Sequence, residues 1–299
     1  MREEVAPGLT ADWLNGWLAA IGVTVLLPDV QLSWSDEPIP AALFYPADDR
    51  PLAERLSSYF EDASWLDRLA VSELPRKVSR DAYAQAAAQA RLADGLGPRM
   101  DLSLASSVTD LVRDSKLGVG GELPHSPFDP SAPGTTGAVF NRVSSCLKRL
   151  DQATTDKASA VSATLAGRGL RVQANGLGFD PRRLPAGVQA KGQVFVDPVV
   201  ETLCFFGLAL FPVRGNGTRI QPRGWTAAAS QRGSFTWPVW SQLLDLWAID
   251  ALLDRFYSGE RPSRLRAFGM TGAFRSVAYR QLDRSDPTRA YASEALPWP

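Results

Sequence analysis

Residues 197–225, DPVVETLCFFGLALFPVRGNGTRIQPRGW, decide how this chain is read, because they join a helix start, an apolar core and an arginine-bearing hairpin in one unit. Asp197 is placed to cap a helix, and Pro198 suits the first turn, where its missing N–H leaves no bond unmade. Val199, Val200, Leu203, Cys204 and Phe206 then supply apolar residues at helical spacing, and Gly207 suits the stop. Leu208 to Val213 is an apolar run too short for a second helix and bounded by Pro212 and Gly215, so it reads as a buried strand. RGNG is its turn, and Arg219 to Trp225 return alongside it, carrying Arg219, Arg223 and Trp225.

Working outward, Leu14 to Trp34, LNGWLAAIGVTVLLPDVQLSW, has the same order of parts: an apolar helix, a glycine, a strand, a turn and a tryptophan. The two stretches are either a weak internal repeat or two unrelated core hairpins, and both readings stay open. In this region Thr10 to Ala20 is expected to be helical with Thr10 as cap. Val23 to Leu27 and Val30 to Trp34 are expected to form a hairpin, and Ala41 to Phe44 to extend its sheet.

Helical spacing also runs over Pro51 to Phe60, Ser64 to Ala70, the alanine-rich Ser79 to Ala93, and Asp101 to Lys116. Residues 118–137, GVGGELPHSPFDPSAPGTTG, are too dense in Gly and Pro for regular structure. They divide the chain into an acidic α+β part over 1–117, a Gly/Pro-rich loop over 118–137 and an arginine-rich α+β part over 138–299. Ala138 to Ala166 is mostly helical, Leu170 to Ala174 a strand, and GLGFDPRRLP a turn carrying Arg182 and Arg183. Phe235 to Trp240, FTWPVW, is aromatic and proline-stopped; Val239 to Tyr257 has helical periodicity, and Ser263 to Leu282 alternates as one or two strands. The fold class expected is α+β, two helix-plus-hairpin units with additional surface helices, joined by the Gly/Pro-rich loop.

With 299 residues, 45% apolar and 21% charged, the composition is globular. The two cysteines, Cys146 and Cys204, stand in apolar or helical settings that fit small buried hydrophobes in a reducing compartment. The opening MREEVAPG has no leader pattern, and no apolar run approaches the roughly 18 residues that a membrane span requires. A cytoplasmic protein with no membrane partner is expected.

Known catalytic motifs are missing: no GxxxxGK[ST], no strand-linked GxGxxG, no HExxH, no CxxC pair and no GxSxG occurs. His125, the one histidine, lies in the Gly/Pro-rich loop without the Cys or acidic neighbours of a zinc site. Neither cofactor nor bound metal is expected. Asp245, Asp250 and Asp254 ride on one helix, and three carboxylates close together are the raw material of a metal-dependent nuclease; a solvated face is the competing reading. A protein-interaction scaffold is a third.

Formal net charge is zero, yet its distribution is uneven. Residues 160–299 hold 17 basic residues, 16 of them Arg, against 10 acidic ones, a net of +7, which leaves −7 for residues 1–159. Such asymmetry fits a chain with one anion-facing side, and Arg favours bidentate phosphate contact and stacking. Arg214, Arg219, Arg223, Arg232, Arg275, Arg280 and Arg284 are the candidate phosphate contacts. Trp225, Phe274 and Tyr279 interleave with them in a pattern usable for single-stranded or guide RNA, or else belong to the core.

LNGWLAAIG, the GFD of Gly178 to Asp180, and above all VDPVVETLCFFGLALFPVRG followed by RGW and FTWPVW resemble the large-subunit-like proteins of CRISPR type I effector systems of subtype G, formerly subtype U. The likeness covers about a third of the chain and consists of helix-to-strand joints. It implies a non-enzymatic subunit of an RNA-guided surveillance (Cascade-like) complex. Its partners would be guide RNA or target DNA and the other effector subunits. It would help hold the guide RNA end or sense the duplex motif beside the target.

Overall fold

Leu14–Leu26 forms a single helix, α1, and all 13 of its residues are buried. A helix with no polar face has to lie inside the molecule, with neighbours on every side. In the computed structural model the described residues are 2–61, scattered positions between 64 and 88, 138–174, 176–177, 195–215, 220–226, 234–279 and 290–296. The helices expected over Ser64 to Ala70, Ser79 to Ala93 and Asp101 to Lys116 lie wholly or largely outside them. So do the loop with His125 and the turn with Arg182 and Arg183.

The class is α+β. Strand β1 (Glu4–Thr10) precedes α1, and β2 (Gln31–Trp34) and β3 (Ala41–Tyr45) follow; they form one antiparallel sheet in the order β1-β3-β2. Helix α2 (Leu52–Glu61) comes next, and after the gap in description α3 (Ala138–Ala153) and α4 (Lys157–Leu165). Asp156 separates this last pair by capping α4, its carboxylate accepting from the Ser159 N–H at 2.9 Å. The short strands β4 (Val172–Gln173) and β5 (Phe195–Val196) pair with one another and lead into α5 (Pro198–Gly207). Strands β6 (Val213–Gly215) and β7 (Ile220–Pro222) form the next ladder. Then β8 (Trp225–Thr226), β9 (Ser234–Trp240), α6 (Leu246–Tyr257), α7 (Pro262–Ala267), β10 (Met270–Tyr279) and β11 (Ala290–Ala295) complete the order. The second sheet runs β11-β10-β9-β8, antiparallel throughout.

Asp197 caps α5 as expected, its Oδ1 accepting from Val199 N–H at 3.0 Å and Val200 N–H at 3.3 Å, with Pro198 in the first turn. Four expectations are corrected. Val23 to Leu26 belong to α1, which starts at Leu14 and not at a Thr10 cap; Thr10 ends β1. Leu208–Leu210 is a short 3-10 turn that continues α5, so the strand begins only at Val213. Val239 and Trp240 end β9, and the helix starts at Leu246 behind an Asp245 cap. Ser263 to Ala267, expected to extend, turn as part of α7, with Pro262 at the first helical position. The first two misreadings share a cause: where a segment is buried on all sides, apolar period carries no information; in the first, β-branched Val23, Thr24 and Val25 tip the reading further toward strand.

Helices α1 and α5 are the centre of the core, and α5 is likewise buried along all 10 residues. They meet through glycines. A Cβ added at Gly22 would sit 1.8 Å from the Leu203 carbonyl oxygen, and one added at Gly207 would sit 2.1 Å from that of Leu18. The contact is reciprocal, since Leu18 stands one helical turn before Gly22 as Leu203 does before Gly207. Around this pair α3 packs on α5, and α2 on α4.

Three buried indoles sew the amino-terminal elements to β9. Trp17 Nε1 donates to the Pro238 carbonyl at 3.0 Å, Trp237 Nε1 to Ala11 at 2.7 Å, and Trp240 Nε1 to Leu32 at 3.0 Å. Leu32 and Leu244 also exchange backbone hydrogen bonds. One apolar cluster therefore runs from Ala6 to Ala273. Gly22→Ala is expected to cost about 3 kcal/mol or more, the upper end for forced overpacking, because backbone and not a yielding side chain opposes the methyl. Gly272→Ala, with open space around its Cβ, should stay within about 0.5 kcal/mol. Urea unfolding of the two variants checks the contrast.

Candidate nucleic-acid interface

Arg223 does not face solvent. It is 6% exposed, and its Nη1 donates to the Leu210 carbonyl at 2.6 Å and to Asp250 Oδ1 at 2.5 Å. Its Nη2 donates to the Asp250 backbone carbonyl and pairs with Asp254 Oδ1 at 2.9 Å. The guanidinium thereby ties the turn between β7 and β8 to the end of α5 and to α6. That bonding removes Arg223 from the phosphate contacts. It also engages Asp250 and Asp254, while Asp245 caps α6 by accepting from Ala248 N–H at 2.8 Å. Among the described residues no group of three or more His, Cys, Asp or Glu is placed to hold a metal ion.

The other candidates divide. Arg214 stands in β6 and Trp225 in β8, opposite Phe235 in the ladder. Arg275 is half-buried in β10, with Thr236 and Glu294 as register partners. Arg219, Arg232, Arg280 and Arg284 lie outside the described residues. Phe274 is half-buried and stacks with the wholly buried Trp237, so it belongs to the core edge.

One group of exposed cations lies where α6 hands over to α7. Arg261, Arg264 and Arg266 are all exposed around the single buried anchor of α7, Leu265. Arg255, in the last turn of α6, lays its guanidinium 4.4 Å from the centre of the Phe268 ring. Glu260 holds the group together, pairing with Arg255 at 3.5 Å and Arg264 at 3.3 Å. Two of the four arginines thus share one interposed carboxylate. The exposed side of α6 continues this surface with Trp247, Ala251, Asp254, Arg255 and Ser258. Trp247 is 47% exposed and Phe268 40%. Sequence reading missed this corner by taking the chain from Ser263 onward as strand; the Arg261-Pro262 pair just before it was the usable helix-start signal.

A second polar cluster is internal. Glu201 on α5 is buried and accepts from Asn15 Nδ2 at 2.8 Å and from the Leu177 N–H at 2.5 Å. Asp197, one turn earlier, accepts from the Thr164 hydroxyl at 2.9 Å. Burial pushes the Asp197 carboxyl above the ordinary carboxylate range, opposed by the Thr164 hydroxyl, the two capping N–H groups and Arg171. Burial likewise raises the thiols of Cys146 and Cys204, with Glu201 adding to it, which keeps both protonated and unreactive.

Two outcomes follow from these bonds. Arg223→Ala leaves buried Asp250 without its counter-charge and is expected to destabilise by about 3–5 kcal/mol, against about 0.5 kcal/mol or less for exposed Arg264→Ala, both measured by denaturant unfolding. A carboxyl whose pKa is raised on folding contributes stability that is complete below the unfolded value and lost as pH rises through the folded one. Asp197→Asn keeps a capping oxygen without the charge, so its stability should fall less than the parent's between pH 4 and pH 7. A parent and variant with parallel pH profiles would show that the carboxylate's bonds offset its burial.

No protein-family model matches this chain and no curated protein matches it, so its surface is read on geometry alone.

Proposed function

We propose that this chain is a non-catalytic, nucleic-acid-facing subunit, of the RNA-guided surveillance kind that its sequence resembles, and that it meets phosphates through Arg255, Arg261, Arg264 and Arg266. One observation carries the reading: these four arginines are all exposed around the α6–α7 junction, and among the described residues Glu260 is the one carboxylate that pairs with any of them. Arginine there suits a phosphate better than lysine would, since a planar fork meets two oxygens at once. Asp245, Asp250 and Asp254 are taken up by capping and by Arg223, which supports a binding rather than a hydrolytic role. No helix among the described residues is long and apolar enough to cross a membrane.

The test is salt dependence. Each phosphate neutralised contributes roughly 0.7 to 0.9 to the slope of log affinity against log salt. Replacing Arg261, Arg264 and Arg266 together with Ala should therefore flatten the slope for a labelled oligonucleotide while leaving the fold intact by circular dichroism. Purification from the native host should recover a repeat-derived guide RNA with several partner proteins. Binding that ignores salt, or a triple variant that binds as its parent does, would overturn the reading and favour a protein scaffold.

A further inference from the structure

The corner carries more than charge. A surface that served phosphates alone would have no use for large aromatic rings held half open to water, yet Trp247 is 47% exposed and Phe268 40%. Each is tied to the arginines. Trp247 shares the exposed side of α6 with Arg255, eight residues on and so about 12 Å along the axis. Arg255 in turn covers one part of the Phe268 ring at 4.4 Å. Glu260 pairs with the same guanidinium at 3.5 Å. The result is an amphipathic pair, ring and guanidinium, with a second ring about 12 Å away along α6 and exposed Arg261, Arg264 and Arg266 in and before α7.

A duplex hides the faces of its bases and offers phosphates and groove edges; an unpaired strand offers base faces as well. Stacking on aromatic rings and on guanidinium planes is how proteins hold single strands without reading sequence. We propose that the α6–α7 corner takes an unpaired nucleic-acid strand, with bases stacking on Trp247 and on the Arg255–Phe268 pair and phosphates lying on Arg261, Arg264 and Arg266. This rests on the nucleic-acid-facing reading above and narrows its ligand to the single-stranded form, RNA or DNA, that both present as stacked bases on a polyanionic backbone.

Fluorescence anisotropy with a labelled 12-nucleotide strand, and with the same strand annealed to its complement, separates the possibilities for the full chain. Trp247→Ala and Phe268→Ala should each weaken single-strand binding on the order of tenfold. The salt slope should stay unchanged, because no phosphate contact is lost, and duplex binding should move little. Trp247→Phe should restore most of the affinity, which a merely structural loss would not do. If the arginine triple variant flattens the slope while the aromatic variants bind as the parent does, or if the duplex binds as tightly as the strand, the stacking proposal falls and the phosphate-facing reading stands. If the parent binds neither probe, both fall together.

Discussion

Two helix backbones in direct contact set the terms for everything else in this molecule. Gly22 and Gly207 let α1 and α5 approach until each presents its bare Cα to a carbonyl of the other. At that separation no side chain fits between the axes, so the remaining faces of both helices have to be covered from outside. Both sheets, α2, α3 and α6 supply that cover, which is why elements far apart in sequence share one apolar cluster. The reciprocity of the Leu18–Gly207 and Gly22–Leu203 contacts also gives the likeness between the two helix-bearing stretches a geometric counterpart.

Burying two helices completely leaves their polar groups no access to water, and the structure answers with bonds to other elements. Glu201 ties α5 to α1 through Asn15 and to the segment after β4 through Leu177. Asp197 ties it to α4 through Thr164. Arg223 does the same at the other end, reaching Leu210 just beyond α5 and Asp250 on α6. Such groups are costly to desolvate and costlier to leave unpaired, so they specify which elements meet more than they add to stability. The same holds for the indole donors of Trp17, Trp237 and Trp240, each of which finds one carbonyl across the core.

Net charge by segment does not say which charges reach the surface. Arg223 is spent inside against Asp250 and Asp254, acids of the same segment, so the excess is unchanged while its carriers are fewer. Four of the arginines that face water stand at the α6–α7 junction, two of them on α7, a helix of only six residues in which Leu265 alone is buried. An interface built this way draws its shape from the α6–α7 junction and its chemistry from the residues the core did not need.

Sequence alone determined the features that depend on neighbours in the chain. The α5 start was legible because Asp197 bonds its own following N–H groups and Pro198 needs none; α2 was legible because it is covered on one side, so its buried Leu52, Leu56 and Phe60 recur at helical spacing, and β2 because QLSW alternates in sequence. The α+β class followed from these. What only the tertiary structure decided were the states of residues whose surroundings come from elsewhere. Val23 to Leu26 and Leu208 to Leu210 became helical turns because they are enclosed on every side, which erases the period. Arg223 became an internal tie because α6 brings Asp250 within 2.5 Å of it from 27 positions away, and the exposed corner passed to Arg255, Arg261, Arg264 and Arg266 because the fold left nothing to bury them. A side chain's type limits what it can do; whether it meets water or a carboxylate is settled by the packing of distant segments.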